Sequence, residues 1–170
     1  LCEGAQGFWL DINYGNYPYV TSSTTLPYGA CSLGFPPQCI RHIYGATKMY
    51  DTRSGIDPLF PESLLDDKDL LSLVKAGGEY GVTTGRMRKT NWLNLDKLIS
   101  AINTSGTTII VISKEDVMED IQLFKLYHNS SLINFSSLSE MKKYVFHTLT
   151  SQCHLLDKIV YSDKVELTEL

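Results

Sequence analysis

The sequence predicts an α/β fold: a portion of a mostly parallel sheet flanked by helices. Residues 67–76 carry Leu70, Leu71, Leu73 and Val74 as an apolar stripe, with Asp66 or Asp67 to cap the start and Gly77 to stop the run. Asn94 can cap a second helix, with Leu95, Leu98, Ile99 and Ile102 at helical spacing and Gly106 at its end. Residues 107–113, Thr-Thr-Ile-Ile-Val-Ile-Ser, then form a β-branched run apolar on both faces, as a buried parallel strand requires. Helix, turn and buried strand in succession give the class.

The remaining elements follow in order. Leu1-Cys2 reads as the end of a buried strand that stops at Glu3-Gly4-Ala5-Gln6-Gly7 and offers Gln6 to a ligand. With no initiator methionine, the chain is expected to be the C-terminal part of a longer protein. Residues 21–25 are all hydroxyl-bearing, either a phosphate cradle or a turn of the Ser/Thr type. Pro36-Pro37 marks a loop, and Ile40, Ile43, Tyr44 and Thr47 suggest a short helix or a helix-to-strand passage over 38–50. Residues 120–127 read as a strand. Ser137 with Glu140 is a capping box ahead of a helix with Leu138, Met141, Val145 and Leu149 on one side. Residues 158–162 close the pattern as a final strand.

One domain accounts for 170 residues, and 43% apolar content excludes a disordered chain. A net charge of −4 argues against a general nucleic-acid binder. Cys2, Cys31, Cys39 and Cys153 make no C-x-x-C pair, so reduced thiols and a cytoplasmic setting are expected. No run approaches the length of a membrane span.

Against this acidic background stands Gly77-Gly78-Glu79-Tyr80-Gly81-Val82-Thr83-Thr84-Gly85-Arg86-Met87-Arg88. Its glycines exclude a quiet helix. Its adjacent threonines supply hydroxyls, and arginines at spacing two point the same way if the loop is extended. The guanidinium fork matches a carboxylate or phosphate, so the loop reads as a clamp for a small anion. A solvated basic turn is the alternative.

The stretch from Gly81 to Arg88, followed by Trp92-Leu93, resembles the aspartate-binding loop of adenylosuccinate synthetase. Other blocks match that family in the same order: Glu3-Gly4-Ala5-Gln6-Gly7 with Leu10-Asp11-Ile12, Gly15 and the run Tyr17 to Ser23; Thr52-Arg53-Ser54-Gly55; and Ser113-Lys114-Glu115-Asp116-Val117. The resemblance covers most of residues 2–127, with 128–170 a divergent tail of the same domain. It implies a P-loop-NTPase-like fold without its N-terminal part. It also implies a ligase of purine biosynthesis that joins L-aspartate to C6 of a 6-oxopurine nucleotide, driven by GTP or ATP.

By the same resemblance Val82, Thr83, Thr84, Arg86 and Arg88 bind aspartate. Gln6, Leu10, Thr21, Arg53 and Ser54 bind the purine nucleotide, the Arg53–Ser54 backbone lying against its ribose. Lys114, Asp116 and Ser162 read the base of the triphosphate, and Gln6 and Arg88 stand closest to the chemistry. Mg²⁺, the phosphate loop and an Asp/His pair are expected in an N-terminal part, and a homodimer is the implied assembly.

The chain departs from the family pattern at Thr24, where asparagine is usual, at Ser54 for valine, and at Asp57-Pro58-Leu59-Phe60-Pro61-Glu62 for Gly-Pro-Phe-Pro-Thr-Glu. Ser162-Asp163-Lys164-Val165 stands for Ser-x-Gly-Pro. Thr24, Ser54 and Asp57 lean from IMP towards dGMP as acceptor, and Asp57 and Ser54 are expected near the sugar or base edge. A different class of function is a nucleotide-binding regulatory protein without catalysis. A GTPase-like switch, suggested by Lys114-x-Asp116, leaves the clamp without a purpose.

Overall fold

The computed structural model describes residues 1–83 and 85–162. Strands β1 (Tyr44–Lys48), β4 (Ile109–Ser113) and β7 (Lys158–Tyr161) form an all-parallel sheet in the order β1-β4-β7. Strands β2 (Tyr50–Arg53), β3 (Lys89–Asn94), β5 (Lys125–His128) and β6 (Ser131–Asn134) form a second sheet in the order β2-β3-β5-β6. There β3 and β5 run parallel, while β2 with β3 and β5 with β6 run antiparallel. The expected parallel sheet is thus divided into two pieces. Met49, fully buried, is the single residue between β1 and β2, and its N–H donates to the Ser113 carbonyl at 2.9 Å.

Helices α1 (Lys68–Gly77), α2 (Leu95–Ser105), α3 (Glu115–Ile121) and α4 (Leu138–Gln152) pack on these strands. Asp67 accepts from the Asp69 and Leu70 amides at the start of α1, and Gly78 at φ 62° closes it. Asn94 accepts from the Lys97 amide at 3.0 Å ahead of α2, and Gly106 at φ 68° ends that helix. Ser137 caps α4 through the Glu140 amide at 3.2 Å, but the Glu140 carboxylate reaches back to the amide and hydroxyl of Ser136 rather than of Ser137. Met49, Tyr50, Leu73, Leu93, Leu95, Ile112, Met118, Leu126, Met141 and Leu149 are among the core residues.

Two expectations are corrected, and of the two readings of 38–50 the structure takes the helix-to-strand passage. Residues 115–121 are helical, and β5 begins only at Lys125. Val117 and Met118 lie buried with Ile121 packed on the core, a one-sided placement that a helix provides. Residues 44–48 are a strand, because Thr108 captures Ile43 from both sides: Ile43 N–H donates to Thr108 Oγ1 at 3.0 Å and Thr108 N–H to the Ile43 carbonyl at 2.9 Å. With the short turn at Pro37–Cys39 before it, that strand completes the helix-to-strand passage. Leu1 and Cys2 are exposed and outside any strand.

Candidate functional site

The loop after α1 is a tight hairpin, not an extended segment. Tyr80 and Met87 form an antiparallel bridge. Gly81 N–H donates to the Arg86 carbonyl at 2.8 Å, Gly85 N–H to the Gly81 carbonyl at 2.7 Å, and Gly85 turns the chain at φ 63°. Val82, Thr83 and Arg86 are exposed on this hairpin, and Thr84 lies outside the described residues.

The base of the hairpin is anchored by a residue the sequence reading did not single out. Glu79 is 2% exposed. Its Oε1 accepts from Lys48 Nζ at 2.6 Å and from the Tyr50 hydroxyl at 2.7 Å, and its Oε2 pairs with Arg88 Nη1 at 3.3 Å. Burial by itself raises the Glu79 carboxyl. The hydrogen bonds from Lys48 and Tyr50 and the charges of Lys48 and Arg88 outweigh it and hold the group below its ordinary range. The Tyr50 hydroxyl is driven up by burial and then by Glu79. Lys48 is lowered by burial, which Glu79 only partly offsets and the charges of Arg88 and Lys114 reinforce. The only sequence cue to Glu79 was its place between glycines.

Lys114 stands at the carboxyl end of β4 at φ 68°, and its Nζ donates to the Gly77 carbonyl at 3.2 Å. Asp116 lies in the first turn of α3, and its charge acts on Tyr50. Ser162 follows β7, its N–H donating to the Ile112 carbonyl at 2.9 Å. Asp163-Lys164-Val165 falls outside the described residues. Arg88, Lys114 and Asp116 thus meet around Lys48, Tyr50 and Glu79 where β1 and β4 end, while Ser162 lies beside them in the sheet.

The N-terminal segment is organised by Asp11, fully buried. Its Oδ1 accepts from the Asn13 and Tyr14 amides at 2.8 and 3.1 Å, and its Oδ2 from Thr24 Oγ1 and the Thr25 amide at 2.9 and 2.6 Å. Burial pushes this carboxyl up, but the four bonds prevail and lower it. Thr24 is therefore a turn residue facing Asp11, and Thr25 Oγ1 likewise faces the Gly7 carbonyl at 3.3 Å. Thr21 N–H donates to the Leu10 carbonyl at 2.7 Å, which places those two candidates side by side. Gln6 is exposed at φ 62°, an unusual conformation for a residue with a β-carbon. It takes no part in the network around Glu79.

Asp57, expected with Ser54 near a sugar or base edge, faces Arg53. Asp57 is 5% exposed, with its Oδ2 at 3.1 Å from Arg53 Nε. The Arg53 guanidinium also donates through Nη2 to the Tyr19 carbonyl, while its Nε, paired by charge with Asp57, makes no hydrogen bond among the described residues. Ser54 is exposed. The β2–β3 register sets Arg53 opposite Lys89, the neighbour of Arg88. Among the described residues, no group of three or more His, Cys, Asp or Glu side chains could hold a metal ion.

Comparison with known proteins places the chain in a family. The family model described as adenylosuccinate synthetase matches residues 1–152. The adenylosuccinate synthetase of Phocaeicola vulgatus is 44% identical over 128 residues, covering 74% of this chain and 29% of the relative. That of Thermodesulfovibrio yellowstonii is 46% identical over 143 residues, covering 79% and 33%. The structure of fully ligated adenylosuccinate synthetase from Plasmodium falciparum superposes with a TM-score of 0.67 at 31% identity, covering 83% of this chain and 35% of that one. The cyanophage S-2L succinoaminodeoxyadenylate synthetase, bound to dGMP and dATP, shares the fold with a TM-score of 0.50 at 17% identity over 85% of this chain and 48% of that one. The chain spans about a third of the length of these curated relatives. The chain belongs to the adenylosuccinate synthetase family.

Proposed function

We propose that this chain supplies the aspartate-binding, purine-nucleotide-binding and triphosphate-base-binding portion of an adenylosuccinate synthetase acting on IMP. One observation carries the reading. Glu79 holds Arg88 by Nη1, while Arg88 Nε is buried with no hydrogen-bond partner among the described residues. A buried donor left unspent beside a fixed guanidinium is a recognition element awaiting an acceptor.

In this reading Thr83, Thr84, Arg86 and Arg88, with the Val82 backbone, take the carboxylates of L-aspartate. Leu10, Thr21, Gln6 and the Arg53–Ser54 backbone take the nucleotide. Lys114, Asp116 and Ser162 read the base of GTP or ATP. The triphosphate passes its γ-phosphoryl group to O6 of the purine and leaves as the diphosphate. The aspartate amine then forms a bond to C6, and inorganic phosphate departs with the C6–O6 bond pair. Arg88 and Gln6 orient the two reactants at that carbon.

Two of the departures towards dGMP, at Thr24 and Asp57, are inward-facing and serve packing. Ser54 remains at the surface, and the identity of 44% and 46% to adenylosuccinate synthetases supports IMP as acceptor. Residues 1–170 are the C-terminal portion of a single domain, in a homodimer of the cytoplasm. Among the described residues, no helix is long and apolar enough to cross a membrane.

The test is aspartate-dependent phosphate release by the full gene product with IMP or dGMP and GTP or ATP. Turnover with IMP and aspartate supports the reading. Nucleotide binding without phosphate release refutes it in favour of a regulatory protein, and turnover by this chain alone refutes the assignment of chemistry elsewhere.

A further inference from the structure

The chemistry above does not use Asp57, yet its buried carboxylate is engaged at both oxygens. Oδ2 faces Arg53 Nε at 3.1 Å, and both side chains are buried, 8% and 4% exposed. Oδ1 accepts from Asn16 Nδ2 at 2.8 Å and from the Leu59 amide at 3.0 Å. Arg53 in turn donates to the Tyr19 carbonyl. Two bonds therefore run from this pair to residues 16 and 19, far away in sequence.

The segment they reach is poorly provided with core. Of its apolar side chains before Tyr44, Leu26 is the one buried. Lys97 adds a contact to Trp9, its Nζ 5.4 Å from the ring centre. The placing of Asn16 is nevertheless strict. Its N–H donates to the Trp9 carbonyl at 3.2 Å, and a β-carbon on Gly15 would come within 2.6 Å of that same carbonyl. With little apolar burial, directional bonds to a buried charge do the attaching. The Arg53 side of the pair is fixed by β2, whose register sets it beside Lys89.

We propose that Asp57 is a positioning residue: it latches the turn between Leu10 and Thr21 onto β2 and so sets the affinity for the purine nucleotide without touching it. A glycine at this place would offer no carboxylate to Asn16 or to Arg53. The proposal rests on the nucleotide-binding reading of Leu10 and Thr21, and its test has an arm that does not.

In the full gene product, Asp57→Asn is expected to speed amide exchange across residues 10–23 about tenfold and leave the amides of β4 and β5 unchanged. It is expected to raise the KM for IMP about tenfold, with kcat and the aspartate KM within about twofold. Asn16→Ala, which removes one bond and keeps the ion pair, is expected to give the same pattern at about threefold. It serves as the test if Asp57→Asn does not fold. Unchanged exchange over 10–23, or equal acceleration in β4 and β5, overturns the latch. An unmodified gene product that shows no turnover defeats the ligase reading and leaves the exchange result to decide the latch.

Discussion

Glu79 and Arg88 meet twice. The Arg88 amide donates to the Glu79 carbonyl at 2.9 Å, and the Arg88 guanidinium reaches the Glu79 carboxylate at 3.3 Å. The backbone bond closes the hairpin and the side-chain bond aims the arginine. One glutamate therefore sets both the shape of the loop and the direction of its second guanidinium.

Removing that carboxylate leaves Lys48 and Arg88 facing each other. Glu79→Ala is expected to cost about 3 kcal/mol by chemical denaturation, towards the low end for a broken buried pair because both cations are partly exposed. Glu79→Gln, which keeps the shape, should cost less. Equal stability of both variants and the parent would remove Glu79 from its role as anchor.

The same group predicts an acid limb. Its carboxyl is held below the ordinary 4.5, so its contribution is complete above that pH and is lost as pH falls through the lower folded value. Stability measured from pH 6 to pH 3 should fall less steeply in Glu79→Gln than in the parent. Parallel curves would contradict the assignment.

Arg86→Leu in the full gene product should raise the aspartate KM at least about tenfold and leave the IMP KM within about twofold, since one carboxylate partner is lost. An unchanged aspartate KM would take Arg86 out of the clamp.

Asp11 collects four donors with no exposure to water. An asparagine there must turn its amide nitrogen towards groups that themselves donate. Asp11→Asn is expected to cost about 2 kcal/mol and to loosen residues 10–25 in hydrogen exchange. No change in either measurement would mean the turn is held elsewhere.

Asn94 gives a local check. Its side chain caps α2 through the Lys97 amide, so Asn94→Ala should cost about 1 kcal/mol in thermal or chemical unfolding, and Asn94→Ser much less.

Elements whose signal is local were legible beforehand. Asp67, Asn94 and Ser137 capped the helices named from their spacing, and the β-branched run before Lys114 became the central strand of the parallel sheet. The family motifs named the Gly81–Arg88 loop and the Lys114–Asp116 strand end, but not the hairpin the loop forms. The local signal left 38–50 open until Thr108 offered β1 its partners, and it failed at 120–124, where α3 runs to Ile121 and the strand begins at Lys125.

The sequence by itself therefore determined the α/β class, the capped helices, the family and the roster of candidate ligands. Only the tertiary structure decided how those residues are oriented and spent. It committed Arg53 and Asp57 to each other, turned Thr24 towards Asp11, and placed Glu79 beneath Arg88. Caps, turns and strand propensity act over a few residues and can be read along the chain. A buried charge takes its partners from residues far apart in sequence, and only the folded geometry says which of them come within reach.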